Sequence, residues 1–131
     1  MPIPVDKAIK MVEAAHQKAD QLGIAVTAAV VDEGGRLIAV GRMDKARPLS
    51  LDVAINKAYT AAAFQQPTEE LANQAQQSWF TSLITSSQGK IMAVGGGIPV
   101  KEPIGVVGAI GVSGGTPEQD IECCQAASSA M

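Results

Sequence analysis

Residues 104–112 read IGVVGAIGV, an apolar run broken by glycine at 105, 108 and 111. A strand this rich in glycine lets another backbone or a ligand approach closely, because there is no Cβ to keep it away. The repeat is too short and too poor in proline for a collagen-like chain. The rest of the sequence has the same character. Hydrophobic residues make up 47% of the chain and aromatics only 3%, namely Tyr59, Phe64, Trp79 and Phe80, while 13 residues are glycine. The core must therefore form by close backbone approach and aliphatic contact, with few rings. That hydrophobic share excludes a disordered chain. The 131 residues fit one domain, residues 1–131. Charged residues amount to 18%, a thin coat for a lone monomer. The net charge is −3 with no Lys/Arg run, and few rings are available for base stacking, so nucleic acid is excluded as a partner.

Local pattern orders the elements. Val5, Ile9, Val12, Ala15, Ala19 and Leu22 recur at helical spacing, and Gly23 closes that helix. Residues 25–31 (AVTAAVV) and 36–42 (RLIAVGR) read as two strands around the turn Asp32-Glu33-Gly34-Gly35. Ser50 is placed to cap a helix that runs to about Phe64, with one stripe at Leu51, Ile55, Ala58 and Ala62 and another at Val53, Lys57, Thr60 and Phe64. A short polar helix follows from Thr68 to about Gln77, and residues 79–88 read as a loop with one turn. Residues 90–94, 98–101 and 104–112 then read as three strands. Thr116-Pro117-Glu118-Gln119 is a capping box with proline at the first helical position, opening a last helix that runs to the chain end. Hairpins dominate this order, so the expected class is α+β: an antiparallel sheet with helices packed on it.

Vicinal Cys123 and Cys124 rarely meet disulfide geometry with each other, and no other cysteine exists. This favours a reducing compartment. No apolar run reaches about 18 residues and no leader pattern opens the chain, so the expected location is cytoplasmic, with no membrane partner.

Three groups could carry chemistry. The single histidine, His16, falls near the centre of the stripe Val5, Ile9, Val12, Ala19 on a helical wheel. It reads either as a core histidine bonded to a backbone carbonyl, or as a haem ligand or acid/base group. A single histidine with no cysteine nearby makes a poor zinc site. The second group is Arg42-Met43-Asp44 with Arg47, Ser50, Lys57 and Thr60, at a strand-to-helix connection of the kind that often carries binding groups. Arginine can clamp a carboxylate in bidentate fashion. Lys57, off the main apolar stripe, is expected to reach back toward that loop. The plainer reading is an exposed loop and a solvated helix face. The third group is the glycine set, with Gly96 and Gly97 as candidate ligand contacts. It contains no dinucleotide fingerprint and no P-loop lysine. Gly114-Gly115-Thr116 leads into a helix N-terminus, but the acids that follow argue against phosphate there. No G-x-S-x-G nucleophile elbow occurs.

Several spaced motifs together resemble one family. They are residues 30–37 (VVDEGGRL), Arg42-Met43-Asp44, Lys57-Ala58-Tyr59-Thr60-Ala61, Gly96-Gly97-Ile98-Pro99-Val100, residues 105–115 (GVVGAIGVSGG) and Glu118-Gln119-Asp120. In this order, across essentially the whole chain, they resemble the GlcG/HbpS family, which includes haem-binding HbpS-like proteins and the C-terminal domain of PduO-type proteins. The resemblance implies a profilin-like fold with a five-stranded antiparallel sheet flanked by helices, and homo-oligomers built from dimers. It implies a small-ligand-binding protein that takes haem, through a histidine of the first helix as in PduO-like relatives, for which His16 is the candidate iron ligand with Arg42 or Lys57 facing the propionates, or through a threonine as in HbpS-like members. One departure is Lys45, where the family pattern R-M-D-G-A has glycine. It sets a bulky cation beside the implied pocket and favours a small anion. The alternative reading is a cofactor-independent enzyme acting on a small carboxylated metabolite in a catabolic pathway. Arg42 or Arg47 would hold the carboxylate, and Asp44, Lys57 or His16 would move a proton.

Overall fold

A computed structural model describes residues 3–131. Its first helix, α1 (Val5–Leu22), begins after Pro4, whose carbonyl accepts the Ala8 N–H at 3.0 Å. It ends as expected at Gly23, which takes the left-handed conformation at φ 74° while the Gly23 and Ile24 N–H groups cap Asp20 and Ala19. Strands β1 (Thr27–Asp32) and β2 (Leu37–Arg42) form the expected hairpin. The Asp32 carboxylate shapes its turn by accepting the N–H groups of Gly34 and Arg36, both at 2.9 Å.

Helix α2 (Leu49–Phe64) starts one residue before its expected cap. Ser50 lies inside the first turn, where its hydroxyl donates to the Arg47 carbonyl at 2.6 Å and accepts from the Thr27 hydroxyl at 2.7 Å. The buried face of α2 differs from both expected stripes. It consists of Ser50, Ala54, Lys57, Ala58, Thr60, Ala61 and Ala62. Alanine at this face brings the helix axis close to the sheet, which leaves the longer Leu51 and Ile55 only half-buried.

After α2 come two short 3-10 turns, Thr68–Leu71 and Gln74–Gln76, in place of one polar helix. A third helix, α3 (Ser78–Ser86), forms where a loop was expected. Its anchor is Phe80, fully buried, stacked on Phe64 with ring centroids 5.8 Å apart and flanked edge-on by Trp79 at 5.6 Å. Strands β3 (Gly97–Glu102) and β4 (Gly105–Ser113) make a second hairpin, and α4 (Pro117–Ser129) opens on the expected capping box, with both reciprocal bonds of Thr116 and Gln119 present.

The sheet has four strands in the order β2-β1-β4-β3, all antiparallel, not the five expected. The missing strand is residues 90–94. Threonine hydroxyls satisfy this backbone instead of a neighbouring strand. The Met92 N–H donates to Thr60 Oγ1 at 2.8 Å, Thr60 also bonds the Lys90 carbonyl at 3.2 Å, and Thr68 donates to the Val94 carbonyl at 2.6 Å.

Strand alternation splits the core into two layers. Ala28, Val30, Ile110 and Val112 face α1 and α4, whose Met11, Ala15, Cys123, Cys124 and Ala127 complete that side. Ala29, Val31 and Ala109 face the alanines of α2. Gly111 lies under α2. A Cβ there would strike the Ala54 carbonyl oxygen, and would lie 2.5 Å from the Ala58 nitrogen. Gly111 thus serves helix-to-sheet contact.

Candidate functional site

Lys57 does not reach the Arg42–Arg47 loop. The buried alanines around it turn its side chain inward, where it is 3% exposed. Its ammonium donates to Asp120 Oδ2 at 3.0 Å and to the Val112 carbonyl at 3.1 Å. The other oxygen of Asp120 accepts the Gly115 N–H at 2.9 Å. Burial pushes the Asp120 carboxyl above its ordinary 3.8, and Lys57 with the N–H groups of Gly115 and Gly114 pulls it back only in part. The pair ties α2, the end of β4 and the first turns of α4 together. The sequence marked Asp120 only as an acid near a helix start.

Gly96 and Gly97 are buried and sit against this pair. Gly96 takes φ +121°, and a Cβ there would lie 2.7 Å from the Val112 oxygen and 2.9 Å from Lys57 Nζ. At Gly97 it would lie 2.5 Å from the Lys57 carbonyl oxygen. Cys124 donates to the Gly96 carbonyl at 3.0 Å. Burial raises both thiols, Cys123 to about 11 and Cys124 well above its usual value, so neither is a thiolate nucleophile at neutral pH. Thr60 is committed to its bonds with Asn56, Lys90 and Met92.

His16 stands apart from that cluster. Met11, Ala15 and Ala19 centre the buried face of α1, so His16 lies on its margin, half-buried, and not at its middle. Its Nε2 is 2.9 Å from the Gly41 carbonyl oxygen. A carbonyl only accepts, so Nε2 carries the proton and the lone pair of the neutral ring rests on Nδ1. Gly41 makes room for the ring, since a Cβ there would lie 2.8 Å from Val12 Cγ1 and 3.0 Å from His16 Cε1. The sequence reading passed over Gly41, although strand alternation sets it on the face opposite its neighbour Arg42. Val5 and Ile9, 57% and 49% exposed, share the flank of α1 that carries His16. Each lies about 20° from it, on either side, on a wheel of about 100° per residue.

Of the loop residues, Asp44 and Lys45 line a cleft of about 480 Å³ with Met43 and with Asp20, one turn beyond His16 on α1. Arg42 projects from the opposite face of β2 to His16. Arg47 lines a separate groove of about 200 Å³ with Ser50, Ser113, Gly114 and Gly115. The expected Arg42–Thr60 group is thus divided between a buried ion pair and two surface hollows, and His16 lies apart on the flank of α1. Among the described residues, no three His, Cys, Asp or Glu side chains gather to hold a metal ion. No helix among them is long and apolar enough to cross a membrane.

Known proteins share this architecture. The family model described as "Haem degrading protein HbpS-like" matches residues 3–129. The chain is 41% identical over 119 residues to an uncharacterized 15.0 kDa protein from the dhaT-dhaS intergenic region of Citrobacter freundii, covering 90% of this chain and 84% of that one. It is 34% identical over 107 residues to the protein GlcG of Escherichia coli K12, covering 79% and 75%. A crystal structure of the PduOC:haem complex superposes with a TM-score of 0.92 at 31% identity, covering 100% of this chain and 96% of that one.

Proposed function

The chain belongs to the HbpS-like family, and from that premise we propose that it binds haem through His16. The observation that carries this reading is the seat of the imidazole. Gly41 holds Nε2–H, which leaves Nδ1 as the basic nitrogen, at the edge of an exposed apolar flank formed by Val5 and Ile9. A histidine oriented through its second nitrogen by a backbone carbonyl is the usual arrangement of a metal-ligating imidazole. The likeness to a structure solved with haem adds support. Bound there, haem iron would supply redox and axial-ligand chemistry. Val5 and Ile9 would cover part of the porphyrin face, and Gly41 would keep the ring from turning. Lys57 takes no part, since its ammonium is held by Asp120 and the Val112 carbonyl.

Haem titration followed by the Soret band tests this. The wild-type chain should give a saturable shift, and His16→Ala should weaken binding by at least the roughly 10- to 100-fold typical of losing an outer-shell partner. Equal affinity in His16→Ala would remove His16 from the site.

The same reading includes self-association. Leu37 and Val40 are exposed along β2, which supports an apolar contact with a second copy. Equilibrium sedimentation should give a dimer or a larger assembly, and a monomer at all concentrations would contradict it.

A further inference from the structure

We propose that the groove beside the start of α2 binds a small carboxylate anion, on the face of the sheet opposite His16. The groove is open to solvent and offers about 200 Å³ among Arg47, Leu49, Val53 and the turn Ser113-Gly114-Gly115. Taking about 30 Å³ for each water, it holds six or seven waters. That suits a ligand of a few heavy atoms and is too small for a nucleotide or a porphyrin.

The charges around it favour an anion. Neither Arg47 nor Arg42 is in an ion pair among the described residues. The nearest buried carboxylate, Asp120, is paired with Lys57 and does not repel a guest. Glu118 and Asp52 belong to neighbouring first turns but are exposed to solvent. The strand register sets Arg42, Thr27 and Ser113 in one row across β2, β1 and β4. Arg42 is thus two strands from Ser113, roughly 10 Å, within reach of a long side chain at the rim.

The donors select the anion. The Gly115 N–H is already committed to Asp120, and the Ser50 hydroxyl to the Arg47 carbonyl. The Arg47 fork and the Ser113 hydroxyl remain. A planar guanidinium fork matches the two oxygens of a carboxylate, while a phosphate would want the N–H groups that Asp120 has taken.

Amide chemical shifts recorded during titration with sodium acetate test the proposal, with ionic strength held constant by sodium chloride. Acetate should shift the amides of Ser113, Gly114 and Gly115 saturably, and acetamide should not. Arg47→Gln should lower acetate affinity tenfold or more. His16→Ala should leave it unchanged, which separates this groove from the haem reading. The proposal fails if the shifts do not saturate, if acetamide reproduces them, or if Arg47→Gln binds acetate like the wild type. Inorganic phosphate binding as tightly as acetate would overturn the choice of a carboxylate.

Discussion

Replacing Lys57 with methionine should destabilise the protein by about 3–5 kcal/mol at pH 7, the usual result of removing one partner of a buried ion pair. For a chain of this length that lowers Tm by roughly 10–20 °C. Methionine fills most of the lysine volume, so cavity formation contributes little. The loss comes from Asp120, left buried with its charge and without the ammonium 3.0 Å away. The deficit should depend on pH. Burial already raises the Asp120 carboxyl above 3.8, and Lys57 opposes that rise. Without Lys57 the folded value climbs further. A carboxyl that holds its proton more tightly when folded favours the folded state below the unfolded value of 3.8. That advantage is lost as pH rises through the raised folded value. The deficit of Lys57→Met should therefore be largest at neutral pH and shrink toward pH 4. Urea denaturation at pH 7, 5.5 and 4 measures it. A deficit that is constant over this range would show that Asp120 does not carry the loss. The double change Lys57→Met with Asp120→Leu should recover much of the stability, because an apolar pair leaves no charge to desolvate.

Gly111→Val should cost at least about 3 kcal/mol, the upper end for overpacking. A Cβ at this position meets the Ala54 carbonyl oxygen, the Ala58 nitrogen and the Ala58 Cβ. Two of these are backbone atoms of a helix interior and cannot rotate away. The helix would have to lift off β4, and in doing so would part Lys57 from the Val112 carbonyl. Gly34→Ala is the contrast. Its added methyl would meet only Asp32 Oδ1 at 3.4 Å, an ordinary contact, so a change within about 0.5 kcal/mol is expected. Thermal melts of the two variants should differ widely. Similar melts would mean that α2 is not held down at Gly111.

What the sequence revealed depended on how local the controlling contacts were. The α1 C-cap at Gly23, the Asp32 turn and the Thr116–Gln119 capping box each involve residues a few positions apart, and each formed as expected. Lys57 was misread because alanine leaves a faint mark in an apolar pattern. The larger Leu51 and Ile55 drew the stripe to one side, while the true face ran through Ala54, Ala58 and Ala61. Its partner Asp120 lies 63 positions away, beyond the reach of any periodicity. The expected fifth strand failed for a related reason. Nothing within residues 90–94 says that hydroxyls of Thr60 and Thr68 will take its hydrogen bonds. For the histidine, the bond to a backbone carbonyl was one of the two readings its position allowed, but its place at the margin of the buried face, not the centre, was not legible, because the alanines that set that face are faint in the pattern.

The strand order β2-β1-β4-β3 also governs how the chain can reach its native state. Each hairpin closes locally, but the seam that joins them pairs Thr27 with Ser113, so nearly the whole chain must be in place first. Closing so long a loop is slow, because its entropy is lost before the contacts form. Until β4 arrives, β1 has Ala28 and Val30 on one face and Ala29 and Val31 on the other, all exposed beside an unpaired edge. During synthesis the N-terminal half would therefore leave the ribosome as an adhesive hairpin, and its protection would depend on how soon the last third of the chain follows.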